Sequence, residues 1–114
     1  MSKSSKEEDQ RWQELQLLEK AGRIHALKRW PVFKLYSKNE ILIGKYTADS
    51  EYRLKDGTLI AEEYKGCEDG KSYSRDYLWR LKHAMADYPE YRFIENIGGK
   101  LRRPKVRFPS KKIA

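Results

Sequence analysis

Ser5-Lys6-Glu7-Glu8 has the S-x-x-E form of a capping box, Trp12, Leu15 and Leu18 follow at helical spacing, and Gly22 offers a stop. This pattern predicts a helix over about residues 6–21. Trp30-Pro31-Val32-Phe33-Lys34-Leu35-Tyr36 is rich in aromatic and branched residues and reads as the first strand, with Pro31 suited to its first position or to an edge. After a turn at Ser37-Lys38-Asn39-Glu40, Ile41 to Leu54 reads as one long strand that can bend. Lys55-Asp56-Gly57 breaks it, and Thr58 to Lys65 forms a third strand ended by Gly66. A polar loop from Cys67 to Tyr73 leads to Ser74, which can cap a second helix over about Arg75 to Asp87, with Leu78, Leu81, Met85 and Tyr88 on one stripe and Pro89 beyond. Tyr91 to Ile97 alternates as a fourth strand, and Gly98-Gly99 is expected to detach the C-terminal residues from it. The order α-β-β-β-α-β defines an α/β (α+β) chain with one domain over residues 1–99 and a tail over 100–114.

Strand periodicity then decides which polar residues meet. Glu63 and Lys65 are two apart, so both leave the same face of their strand. Asp49 on the partner strand faces Tyr64 if the loop has two residues. It faces Glu63 if the loop is Lys55-Asp56-Gly57 with Gly57 left-handed, and Gly in the third loop position favours the latter. On the first helix, Glu8 shares the stripe of Trp12 and Leu15 and so faces the body of the protein. It serves there either as the partner of Ser5 in the capping box or as a functional carboxylate.

Composition narrows the classes of function. The chain has 114 residues, so it is too short for two cores, and three Trp, eight Tyr and three Phe supply its apolar bulk. No stretch approaches a membrane span and MSKSSKEEDQ lacks a signal peptide's apolar segment, from which a cytoplasmic protein with no membrane partner is expected. Cys67 is the single cysteine, and with only His25 and His83 besides it a closed zinc site is excluded. The net charge of +8 is uneven: residues 100–114 carry Lys100, Arg102, Arg103, Lys105, Arg107, Lys111 and Lys112 without one acid, whereas residues 1–99 hold 18 basic against 17 acidic side chains. Such a tail can neutralise phosphates of a nucleic acid, or act only as a solvated end.

Two carboxylates placed side by side repel unless a cation lies between them, and Mg²⁺ (or Mn²⁺) suits an all-oxygen site completed by water and substrate phosphate. A lysine beside them can orient an attacking water or offset charge developing on phosphorus, which suits phosphodiester hydrolysis. The pattern [DE]-x-Lys alone is weak: random order gives roughly two matches in a chain of this composition, and two occur, Glu63-Tyr64-Lys65 and Asp69-Gly70-Lys71. Only the first lies on a predicted strand beside another Asp. The plainer alternative is a solvated cross-strand ion pair.

The succession Gln13-Glu14-Leu15-Gln16-Leu17-Leu18-Glu19-Lys20-Ala21-Gly22, Tyr46-Thr47-Ala48-Asp49, Glu62-Glu63-Tyr64-Lys65-Gly66 and Tyr88-Pro89-Glu90-Tyr91-Arg92-Phe93 resembles a small phage and prophage family of the PD-(D/E)xK nuclease superfamily. The likeness spans about residues 5–97. It implies a restriction-endonuclease-like αβββαβ core, a central mixed sheet flanked by helices, and a metal-dependent DNA endonuclease. It further implies Asp49 and Glu63 as metal ligands, Lys65 as the catalytic lysine, and Glu8 as the acidic residue of the first helix that completes the site. Action on branched DNA or Holliday junctions, as a homodimer, is implied by analogy.

Lys100, Arg102, Arg103, Lys105 and Arg107 are the expected DNA contacts, joined by Arg80 and Lys82 if these flank the cleft rather than forming a solvated helix face. Trp12, Trp79, Leu78, Leu81 and Met85 are expected to pack in the core or at a dimer contact. The competing reading is a non-catalytic DNA- or protein-binding module on the same scaffold.

Overall fold

A computed structural model describes residues 6–65 and 75–104, which form a mixed α/β fold. Its first element, α1 (Lys6–Lys20), ends as the sequence predicts: Gly22 takes a positive φ of 77°, its N–H reaches the Glu19 carbonyl at 3.0 Å, and the Arg23 N–H reaches the Leu18 carbonyl at 2.9 Å. This pair of bonds is a Schellman closure. The expected caps Ser5 and Ser74, and the loop from Cys67 to Tyr73, lie outside the described residues.

The chain then enters β1 (Ile24–Arg29), a strand the pattern did not predict. Among the described residues it pairs with β4 alone, and it carries a bulge between His25 and Lys28, with Ala26 at φ 53°, so its side chains do not alternate. Next come β2 (Val32–Tyr36), β3 (Leu42–Thr47) and β4 (Ser50–Leu54). The long strand expected over residues 41–54 is thus divided at Ala48-Asp49, and its halves belong to different sheets. The two arms still form one ribbon. Arg29 pairs with Ser50 and Val32 with Thr47, and between them Trp30 N–H bonds the Asp49 carbonyl at 2.9 Å and Ala48 N–H bonds the Pro31 carbonyl at 3.1 Å. The ribbon bends there, with Asp49 opposite Trp30, and its distal half becomes the two-stranded sheet β2-β3.

β5 (Leu59–Tyr64) returns along β4 in the register predicted for a three-residue loop: Ser50 pairs with Glu62, Tyr52 with Ile60 and Arg53 with Leu59. Gly57 sits at φ 92°, its N–H bonding the Leu54 carbonyl, while Leu54 N–H bonds the Thr58 carbonyl, both at 2.9 Å. The helix α2 (Arg75–Asp87) then leads to β6 (Tyr91–Ile97), which lies parallel to β5. Gly98-Gly99 turns the chain into β7 (Lys100–Arg102), antiparallel to β6, instead of releasing a tail at that point. The five-stranded mixed sheet has the order β1-β4-β5-β6-β7.

Alternation along β5 divides the core. Ile60 joins Leu15, Ile24 and Tyr52 beneath α1, with Trp12, Leu18 and Ile94 around them. Ala61 points the other way, into Phe33, Leu35, Tyr46, Leu81, Ala84 and Phe93, where α2 and the bent half of the ribbon cover the sheet. Burying side chains such as Leu15, Leu35 and Leu81, all at 1% exposure or less, contributes about 1.5–3 kcal/mol each. Trp79, expected in the core or at a dimer contact, is not in the core. It is 49% exposed and leans on the His83 ring at 5.4 Å. No helix among the described residues is long and apolar enough to cross a membrane.

Candidate active site

Asp49 stands at the bend of the ribbon. Its backbone N–H bonds the Glu62 carbonyl at 3.1 Å, extending the β4-β5 ladder, and its Oδ2 accepts the Tyr64 N–H at 2.6 Å. This places it across from Glu63, as the three-residue loop requires. Burial, then the Asp49 charge and a hydrogen bond with Asp49, push the Glu63 carboxyl well above its usual pKa, while a hydrogen bond from Tyr46 and the Lys65 charge act in the opposite sense. The Tyr46 hydroxyl donates to Glu63 Oε1 at 2.8 Å. Burial and the same carboxylate push the Tyr46 phenol upward as well.

Lys65 lies one residue past the end of β5, yet its N–H still bonds the Asn96 carbonyl at 2.9 Å, so the strand's alternation carries through to it. Its Nζ sits 3.5 Å from the centre of the Tyr77 ring. Glu63 also lines an open groove of about 370 Å³ with Lys45, Tyr46, Thr47, Tyr77 and Arg80. Glu63 and Lys65 therefore lie on the α2 side of the sheet, and Asp49, at the bend, adjoins Glu63 there while also bordering the layer under α1. Two adjacent carboxyls that disfavour each other's charge are a fit for a hard divalent cation, which would offset their repulsion. Among the described residues no group of three or more His, Cys, Asp and Glu gathers at one point.

Glu8 lies elsewhere. It lines a small cavity under α1 with Arg11, Trp12, Trp30, Asp49, Glu62 and Tyr64, on the face of β5 opposite to Glu63. The structure brings it to Asp49 and leaves it across the sheet from Glu63 and Lys65. Glu62, which the sequence reading passed over, is 1% exposed there. Arg11 grips it through Nε at 2.8 Å and Nη2 at 2.9 Å, and the Tyr52 hydroxyl donates to its Oε1 at 2.8 Å. The signal for it was present: Glu62 shares the alternation of Ile60 and Tyr64, so one of two adjacent glutamates had to enter the α1 layer.

The expected DNA contacts divide. Lys100 and Arg103 are exposed, whereas Lys82 is half-buried on α2. Arg80 is engaged within the protein, donating from Nη1 to the Lys45 carbonyl at 2.7 Å and from Nε to Asp76 at 2.9 Å. Arg102 is half-buried: its Nε lies 3.6 Å from Glu95, a carboxylate with 0% exposure that also accepts the Tyr77 hydroxyl at 2.8 Å. A buried charge needs a partner, and Arg102 serves Glu95 in that way. Lys105 and Arg107 lie outside the described residues.

No family model matches the chain, and neither curated proteins nor solved structures yield a match.

Proposed function

We propose that this chain is a metal-dependent DNA endonuclease of the restriction-endonuclease-like class, hydrolysing phosphodiester bonds. The observation that carries the reading is the joined pair Asp49 and Glu63 with Lys65 on the same face of β5. The topology supports it: apart from the bent half of the ribbon and the added β7, the elements run α1-β1-β4-β5-α2-β6, three antiparallel strands followed by a helix and a parallel strand.

Asp49 and Glu63 would hold Mg²⁺ or Mn²⁺, with water and phosphate oxygens completing the shell. The bound ion supplies Lewis acidity toward the phosphoryl group and lowers the pKa of water. Tyr46 orients the Glu63 carboxyl through its hydroxyl. Lys65, steered by the Tyr77 ring, presents a cation that orients water or offsets charge growing on phosphorus. The groove along Lys45, Thr47 and Tyr77 opens to solvent beside Glu63.

The test is cleavage of supercoiled plasmid and of a synthetic four-way junction with Mg²⁺, Mn²⁺ or chelator, by wild type, Asp49→Asn and Glu63→Gln. Metal-dependent cutting reduced by about 100-fold or more in both variants is expected, the scale of losing transition-state electrostatics. Preference for the junction, together with a dimer in sedimentation, would extend the reading to branched DNA. Binding without cutting by folded wild type would overturn it in favour of a non-catalytic DNA-binding module.

A further inference from the structure

We propose that the Trp30 indole is a stacking platform for an unpaired nucleobase, held on Arg29 beside Asp49. The proposal rests on the nuclease reading for its ligand class. It starts from a backbone anomaly. Trp30 precedes Pro31, and the residue before proline belongs in the extended region, yet Trp30 has φ 53°. A bulky residue there is a true outlier. The bend of the ribbon needs a positive φ opposite Asp49, and glycine would supply it without cost.

Trp30 leaves 47% of its surface exposed. The ring is nevertheless fixed. The Arg29 guanidinium lies 4.3 Å from the centre of the Trp30 ring and 5.3 Å from that of Trp12, and Arg29 Nη2 is held by Asp9 Oδ1 at 2.6 Å. A cation clamped between two indoles and anchored by a carboxylate fixes the outer indole as a flat, preorganised surface. Trp30 also lines the cavity that reaches Asp49 and Glu8.

A strained, exposed aromatic plane beside the candidate metal ligand suits a flat π-system joined to the phosphate being held there. Bases inside a duplex are already stacked on one another, so the platform serves bases that are unpaired, as in single strands or at branch points.

The experiment measures fluorescence anisotropy of a labelled oligothymidylate, an oligouridylate and a blunt duplex, with Ca²⁺ in place of Mg²⁺, for wild type, Trp30→Phe, Trp30→Ala and Trp30→Gly. Trp30→Ala and Trp30→Gly should weaken single-strand binding by roughly 5- to 150-fold, with Trp30→Phe near wild type and duplex binding little changed. Trp30→Gly should also melt no lower than wild type, since it relieves the backbone. Unchanged single-strand binding would overturn the proposal, as would an equal loss on duplex or a clearly lowered melting temperature in Trp30→Gly. The two readings fail separately: weaker single-strand binding in Trp30→Ala with no cutting by wild type leaves the platform and removes the nuclease. Cutting that needs Asp49 and Glu63, with unchanged binding in Trp30→Ala, does the reverse.

Discussion

Arg11→Met should be among the most damaging single substitutions in this chain. Glu62 is enclosed, and its carboxylate receives two bonds from Arg11, at 2.8 and 2.9 Å, and one from the Tyr52 hydroxyl at 2.8 Å. The Arg11 guanidinium is itself mostly covered, with 17% of its side chain exposed, so solvent cannot replace what it provides. Methionine keeps much of the stem's volume and removes the charge. A buried carboxylate is left with one phenol, a loss of about 3–5 kcal/mol. Tyr52→Phe removes one charge-assisted bond and should cost about 1.5–3 kcal/mol. Urea unfolding followed by tryptophan fluorescence reads both, and with a slope of about 2 kcal/mol per molar the Arg11→Met midpoint falls by roughly 2 M. Arg11→Met combined with Glu62→Leu should recover most of that loss, because no uncompensated charge remains. A cost below about 1 kcal/mol for Arg11→Met, the range of an exposed ion pair, would refute the reasoning.

Glu63 gives the pH dependence. Its carboxyl pKa is raised in the folded protein, so its stabilising contribution is complete below the unfolded value near 4.5 and is lost as pH rises through the folded one. Glu63→Gln should therefore melt increasingly higher than wild type as pH rises above the unfolded value near 4.5, by at most about 1.4 kcal/mol per pH unit, and Mg²⁺ should narrow the gap by stabilising the ionised pair. Identical pH profiles would count against the raised Glu63 pKa. Gly57→Ala meets no steric obstacle but places a side chain at φ 92°, and should lose about 1–2 kcal/mol in urea unfolding without moving the β4-β5 register.

Local signals fixed much of this fold. The helix period and its glycine stop set α1, the stripe of Leu81, Met85 and Tyr88 set α2, and Gly57 in third place of its loop set the β4-β5 register that puts Asp49 across from Glu63. Each depends on residues close in the chain, and each was legible there. β1 was not, because its bulge suppresses the alternation that marks a strand. The division of residues 41–54 between two sheets was hidden for another reason: the two halves are continuous in sequence with no breaker between them, and the packing of Phe33, Leu35 and Tyr46 against α2 turns the distal half away.

The same limit governs the site. That Glu63 and Lys65 share a face comes from the two-residue strand repeat, whereas the face on which α1 lies is settled by packing, and it separates Glu8 from them. The sequence determined which residues could be neighbours along a strand or helix. Tertiary structure decided which of two adjacent glutamates entered the α1 layer to need Arg11, and which basic residue paired with Glu95, because buried charge is compensated by whatever partner the fold brings within reach.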